Sequence, residues 1–172
     1  MYSSTTCSSI IGLDKGCYNI TMKTITDSYL QRFPTGLRDF LKLEKNQKAF
    51  LDSIREDYEP VKVYRAIHCC KAVFERDFLN NFDDAKIFAP DMNLSDRLTN
   101  YSVSVNESLD MLKTSVKFPN KRKHLCGIAI GEMRKEYGPA DFDEDRPHHN
   151  WYLFEGVSKH LVQLFEVMES EN

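Results

Sequence analysis

No apolar run in the 172-residue chain reaches the roughly 18 residues a membrane-spanning helix requires, so a helical membrane protein is not expected. Met1 to Ile20 carries neither a basic start nor an apolar stretch of secretory length, which points to a cytoplasmic protein. Positive charge is not in excess. The 23 Lys and Arg against 26 Asp and Glu give a formal net charge of -3, a poor field for a phosphate backbone or an anionic membrane. The seven glycines never gather into a phosphate-cradling loop. Five cysteines, odd in number with Cys69 and Cys70 adjacent, make an unsuitable disulfide framework and read as reduced thiols. Neither Cys-x-x-Cys nor His-Glu-x-x-His spacing occurs, so no metal is expected.

What is present is an ordinary globular composition, 41% hydrophobic and 28% charged. A chain of this length buries roughly 70% of its unfolded surface. Residues 1–26 are Ser/Thr-rich and read as a loosely ordered leader, with Met22 as an alternative start. Residues 27–172 read as a single α+β domain, with a helical part over 27–60 and a sheet-rich part over 61–172.

Asp27 to Phe33 predicts a short capped helix, and Leu37 to Tyr58 one or two amphipathic helices with Phe50, Ile54 and Tyr58 on one stripe, ended at Pro60. The period then changes to two. Val61, Val63 and Ile67 alternate with Lys62, Tyr64 and Ala66, a strand that carries Arg65 on its apolar face. His68 to Phe82 fits a short helix or a bent strand, and Asn80 to Leu98 reads as loop. Tyr101, Val103 and Val105 alternate with Ser102 and Ser104 in a second strand, after which Asn106 reads as the N-cap of a helix through Leu109, Leu112 and Val116. Leu125 to Met133 predicts a central strand whose small residues Gly127, Ala129 and Gly131 admit a close neighbour on one side. Glu136 to Pro147 reads as an acidic loop, Asn150 to Glu155 as a strand, Gly156 as a turn and Leu164 to Met168 as the last strand. The fold class is therefore α+β: N-terminal helices followed by a mixed, mostly antiparallel sheet of about five or six strands.

Pro147 to Val157 is the chemically densest stretch, with the only Trp, Trp151, and the adjacent His148 and His149. Neighbouring side chains on an extended backbone point to opposite faces, so the two histidines cannot readily chelate one ion together. Trp151 reads as core or as a cofactor wall. Glu155 reads as a turn residue or as the partner of Arg65, which needs either an internal carboxylate or a wet cleft. Cys69 and Cys70 lie beside His68, a pairing of thiol and base, while Cys126 reads as a small core residue. Lys121, Arg122 and Lys123 form a basic turn, either a solvated loop or a nucleic-acid contact.

The strand Val63-Tyr64-Arg65-Ala66, the strand Tyr101-Ser102-Val103-Ser104 feeding a helix, a middle strand, and then Trp151 to Gly156 and Phe165-Glu166-Val167 follow one another in an order that resembles the mono-ADP-ribosyltransferase family over roughly residues 61 to 168. The resemblance implies NAD as cofactor and a macromolecular acceptor, with Arg65, Ser102 and Ser104 shaping the NAD pocket; the chemistry also needs an aromatic wall for the nicotinamide, for which Tyr101, Trp151 and Tyr152 are the candidates. Where one branch of that family places its catalytic Glu, this chain has Asn150 and Trp151. On that resemblance either Glu144 or Glu155 substitutes and the chemistry is rebuilt around His148, His149 or Glu155, with His149 and Glu155 as the catalytic candidates, or the cleft is non-catalytic. Two functions are expected from this. One is an NAD-dependent ADP-ribosyltransferase-like enzyme or toxin. The other is an intracellular interaction module of the same fold without chemistry, binding a protein partner as an accessory or regulator in a bacterial or phage conflict system.

Overall fold

Apolar residues spaced three and four apart gather the N-terminal part into short helices, α1 (Asp27–Leu30), α2 (Thr35–Phe40) and α3 (Glu44–Ser53). A computed structural model of the protein describes residues 25–84, 92–143 and 145–169. Most of the expected leader, with Cys7, Cys17 and Met22, lies outside the described residues, as does Glu144. Thr26 starts α1 by accepting the Tyr29 amide on its side chain at 3.3 Å. The stripe on α3 does not run to Tyr58. Ile54 is already extended, because Arg55 exchanges main-chain hydrogen bonds with Ala140 at 2.8 and 3.1 Å. Tertiary pairing thus overrides helical periodicity, and Tyr58 instead donates its hydroxyl to the Gly138 carbonyl at 2.7 Å.

The period-two segments form a six-stranded, wholly antiparallel sheet: β1 (Val61–Ile67), β2 (Val103–Asn106), β3 (Gly127–Met133), β4 (Ala140–Phe142), β5 (His148–Trp151) and β6 (Glu166–Val167), in the order β4-β5-β2-β1-β3-β6. The class is α+β, with helices preceding the sheet. Three further helices are α4 (Leu94–Thr99), α5 (Leu109–Val116) and α6 (Val157–Leu161).

Several boundaries differ from the sequence reading for identifiable reasons. The expected loop before Leu98 contains α4, capped by Asn93, whose side chain accepts the Asp96 amide at 2.8 Å. Asn106 belongs to β2 and does not cap α5; Ser108 does, accepting the Met111 amide at 3.3 Å. The acidic loop contains β4. The late strand is His148–Trp151, not Asn150 to Glu155. Beyond it, Tyr152 and Phe154 donate their amides to Pro139 and Tyr137, each at 2.9 Å.

This last segment divides the interior. Trp151 and Leu153 belong to one core with Val63, Ile67, Val105 and Phe165, whereas Tyr152 and Phe154 belong to a second core with Phe33, Leu37, Phe50 and Leu98. Trp-Tyr-Leu-Phe is continuously apolar because both of its sides are covered, the pattern of a segment buried on two faces. Gly138 lies against it at φ 150°, and a Cβ there would stand 2.0 Å from the Tyr152 carbonyl oxygen. The small residues of β3 do admit close neighbours. A Cβ on Gly131 would stand 2.6 Å from the Phe165 ring, and one on Gly127 would stand 2.2 Å from the Cys69 carbonyl oxygen.

Candidate ligand cleft on the outer face of the sheet

Strand alternation sorts the residues of β2 and β5 by face. The register pairs Val103 with Trp151, Ser104 with Asn150, Val105 with His149 and Asn106 with His148. Directly opposed residues share a face. Val103, Val105, His149 and Trp151 therefore point to the first core, and Ser104, Asn106, His148 and Asn150 form a polar square on the other side.

The inner residues are tied down. Trp151 is fully buried and donates its indole N–H to the Gly138 carbonyl at 3.2 Å. His149 is 3% exposed, its ring 4.6 Å from that of Phe142. A carboxylate accepts only, so His149 Nε2 donates to Glu107 Oε1 at 2.6 Å, and Nδ1 is left buried with no partner among the described residues. Arg65 lies opposite Ala129 on this same inner face. Its Nε donates to the Asp77 main-chain oxygen and its Nη1 to the Ser104 main-chain oxygen at 2.5 Å. Burial pulls the Arg65 guanidinium down to about 10, with the Asp77 charge pushing back, so it stays protonated at neutral pH. β1 and β2 share a single paired position, Tyr64 with Asn106. Arg65 therefore bridges two strands where their own ladder ends.

Ser102 is buried beside the outer square, donating to the Thr99 carbonyl at 2.8 Å and lying 3.2 Å from Asn150 Oδ1. Asn150 Nδ2 approaches Asp141 Oδ2 at 3.4 Å. Burial raises the Asp141 carboxyl above the usual range, the Asn150 hydrogen bond opposing it and the Asp143 charge adding to it.

Above the square opens a cleft of about 480 Å³, walled by Met111 and Ser115 of α5, by Thr99 and Asn81, and by Asp143, Arg146 and Pro147. Asn106 is only 4% exposed and lines this cleft, and its side-chain amide has no hydrogen-bond partner among the described residues. The amide atoms reach the solvent of the cleft and are not sealed inside the protein, so they are available to an incoming group. Beside it, His148 is half-buried and holds its proton less readily than a free imidazole, because of burial first and the neighbouring His149 charge second. Burial also opposes ionisation of Asp143, but the Asp145 amide and the Arg146 guanidinium outweigh it and hold that carboxyl below its usual value. Arg146 Nε donates to Asp143 Oδ2 at 2.9 Å.

The seven residues singled out in the sequence are thus distributed over three places. Ser104 lines the outer cleft. Arg65, Ser102, His149 and Trp151 stand behind it or beneath it, holding β2 and β5. Glu155 and Tyr101 line a different cleft of about 450 Å³, between α2, the 3-10 turn Glu75–Phe78 and the start of α6. Arg65 does not meet Glu155, which is exposed and donates its amide to the Arg32 carbonyl at 2.7 Å. Four carboxylates, Asp39, Glu75, Asp83 and Glu155, line that second cleft together with Lys159. Tyr101 stacks between Phe40 and Phe82, with ring centres 4.9 and 5.1 Å away.

The described thiols, Cys69, Cys70 and Cys126, are placed apart from both clefts. Asp77, fully buried, accepts from His68 Nδ1 at 2.6 Å and from the main-chain amides of His68 and Phe74 at 3.0 and 2.9 Å. The hydrogen bonds of Cys69 and Cys126 are with main chain, the Lys71 amide and the His68 carbonyl, and not with the His68 ring. Cys126 is exposed, contrary to its expected place in the core. No group of three or more His, Cys, Asp or Glu side chains that could hold a metal ion exists among the described residues, and none of their helices is long and apolar enough to cross a membrane.

Sequence reasoning missed Asn106 and Asn150 as cleft residues. The signal was there: continuing the alternation of Ser102 and Ser104 by one step puts Asn106 on the same face. Comparison with protein-family models, with curated proteins and with solved structures finds no match to this chain.

Proposed function

We propose that the protein is a non-catalytic binding module whose ligand seat is the outer cleft of β2 and β5. The observation that carries this reading is the buried Asn106 amide, open toward the cleft opposite His148. Both groups recognise by hydrogen bonding, and the strands beneath them are fixed by Arg65, Ser102 and His149. Such a rigid platform suits binding, because a ligand gains most from donors and acceptors already in place. The free thiols Cys69, Cys70 and Cys126 suit a reducing compartment such as the cytoplasm.

The ADP-ribosyltransferase reading draws support from one observation: Arg65 reaches the main chain of Ser104, so two of its three pocket residues are neighbours. It also calls for a carboxylate beside the ribosyl carbon. Among the described residues Asp143 is the carboxylate on the outer cleft's wall and it is matched by Arg146, while Glu155 stands in the other cleft. One experiment separates the readings. The full chain is titrated with a set of small polar molecules while side-chain amide and imidazole resonances are followed, and separately incubated with labelled NAD and a cell lysate. Binding that shifts Asn106 and His148 without label transfer is the expected result. Label transferred from NAD in an Arg65-dependent way would overturn the proposal in favour of the enzyme.

A further inference from the structure

The floor of the outer cleft offers uncharged chemistry, with the Asp143–Arg146 ion pair on its wall. Asn106 presents a carbonyl oxygen and an NH2 side by side, His148 in its neutral form offers one donor and one acceptor, and Ser104 offers a hydroxyl that serves as either. Burial and the His149 charge both favour that neutral form of His148. The one guanidinium on the wall, Arg146, is already matched by Asp143 at 2.9 Å. A phosphate or carboxylate entering here would lose water without gaining an unmatched cation. Met111 and Pro147 supply apolar surface against which a flat ring can lie, the thioether being soft and adaptable. At about 480 Å³ the cleft is within the size range of small-molecule sites and has room for a heterocycle with an attached sugar.

We infer that the cleft binds an uncharged adenine-type heterocycle, with the Asn106 amide pairing two-fold to an amino donor and the adjacent ring-nitrogen acceptor. An asparagine amide is complementary to that edge, whichever way its own oxygen and nitrogen are turned to meet it. The inference rests on the binding-module reading and specifies its ligand.

The test uses the full chain and three probes: adenosine, N6,N6-dimethyladenosine, which lacks the amino donor, and adenosine monophosphate. Adenosine binds saturably and shifts the Asn106 and His148 resonances. The dimethylated probe binds weaker by about tenfold or more, within what one bidentate amide–base pair supplies. The monophosphate binds within about threefold of adenosine, because the cleft offers its phosphate no unmatched cation. Asn106→Leu, which keeps the branched outline without the amide, loses about tenfold in adenosine affinity while remaining folded. Should that variant fail to fold, the dimethylated probe on the unaltered protein carries the test. Equal binding of adenosine and its dimethyl analogue overturns the inference, as does monophosphate binding more than about tenfold tighter with strong salt dependence, which would make this an anion site on Arg146. If adenosine leaves the cleft unmoved while other polar molecules shift it, the inference falls and the binding-module reading stands. If nothing shifts it, both fall.

Discussion

His148 and His149 are joined by one peptide bond and live in different chemical worlds. His149 is sealed against Phe142 and Glu107 on the inner face of the sheet, whereas His148 stands at the mouth of a polar cleft on the outer face. The same division runs along both strands: Val103, Val105 and Trp151 are inside, Ser104, Asn106 and Asn150 outside. The difference teaches that polarity alone does not mark a site in this protein. Arg65 and His149 are the most conspicuous polar residues for their positions, yet Arg65 is consumed by internal partners and His149 spends Nε2 on Glu107 and seals Nδ1 in the core. Asn106, which reads as a helix cap in the sequence, keeps its side-chain amide open to the cleft.

If the inner face is structural and the outer face is for recognition, variants should separate into those that cost stability and those that cost binding. The largest effect belongs to Trp151→Ala, which removes a fully buried indole from the first core and should lower unfolding free energy by about 3–5 kcal/mol, read by urea denaturation. Next, Arg65→Met keeps the apolar stem but strips the donors from the Asp77 and Ser104 carbonyls, and a loss of about 2 kcal/mol is expected by the same method. An Arg65→Met protein with unaltered stability and no ligand binding would break the division between faces.

A smaller effect concerns pH. The proton affinity of His148 is depressed in the folded state, so the unfolded chain takes up the proton first as pH falls. Its contribution to stability is complete above the unfolded value, about 6.5, and is lost as pH falls through the lower folded value. Asp141 and Asp143 pull the other way, and Arg146 and His149 reinforce the depression. His148→Asn should therefore lose less stability than the unaltered protein between about pH 7 and about pH 5, measured as the difference between two denaturation series. The smallest effect on stability is that of Asn106→Leu, about 1 kcal/mol or less, because no internal hydrogen bond is broken and the larger side chain can extend into the cleft.

The sequence made much of this architecture legible. The period-two runs located β1, β2 and β3, and the small residues of β3 announced the close approach of Phe165 and of the Cys69 main chain. What stayed hidden was short or ambiguous. β4 has three residues, too few for alternation to stand out among Asp141, Asp143 and Asp145. α6 follows Gly156 with no side-chain cap to signal it. Asn106 suits both a helix cap and a polar strand face, and the decision was made two residues later, where Ser108 takes the cap. Arg65 was visible as a charge needing a partner, but its partners are main-chain oxygens of a 3-10 turn and of β2, and the sequence carries no mark of such contacts.

The central claim is that the outer face of β2 and β5 is the ligand seat. Its most direct measurement is the side-chain amide resonance of Asn106 during an adenosine titration of the full chain. A saturable shift of that resonance together with the His148 ring, leaving Tyr101 and the main-chain amide of Glu155 unmoved, is the predicted result. Shifts confined to Tyr101 and Glu155 would place the seat in the other cleft and contradict the account.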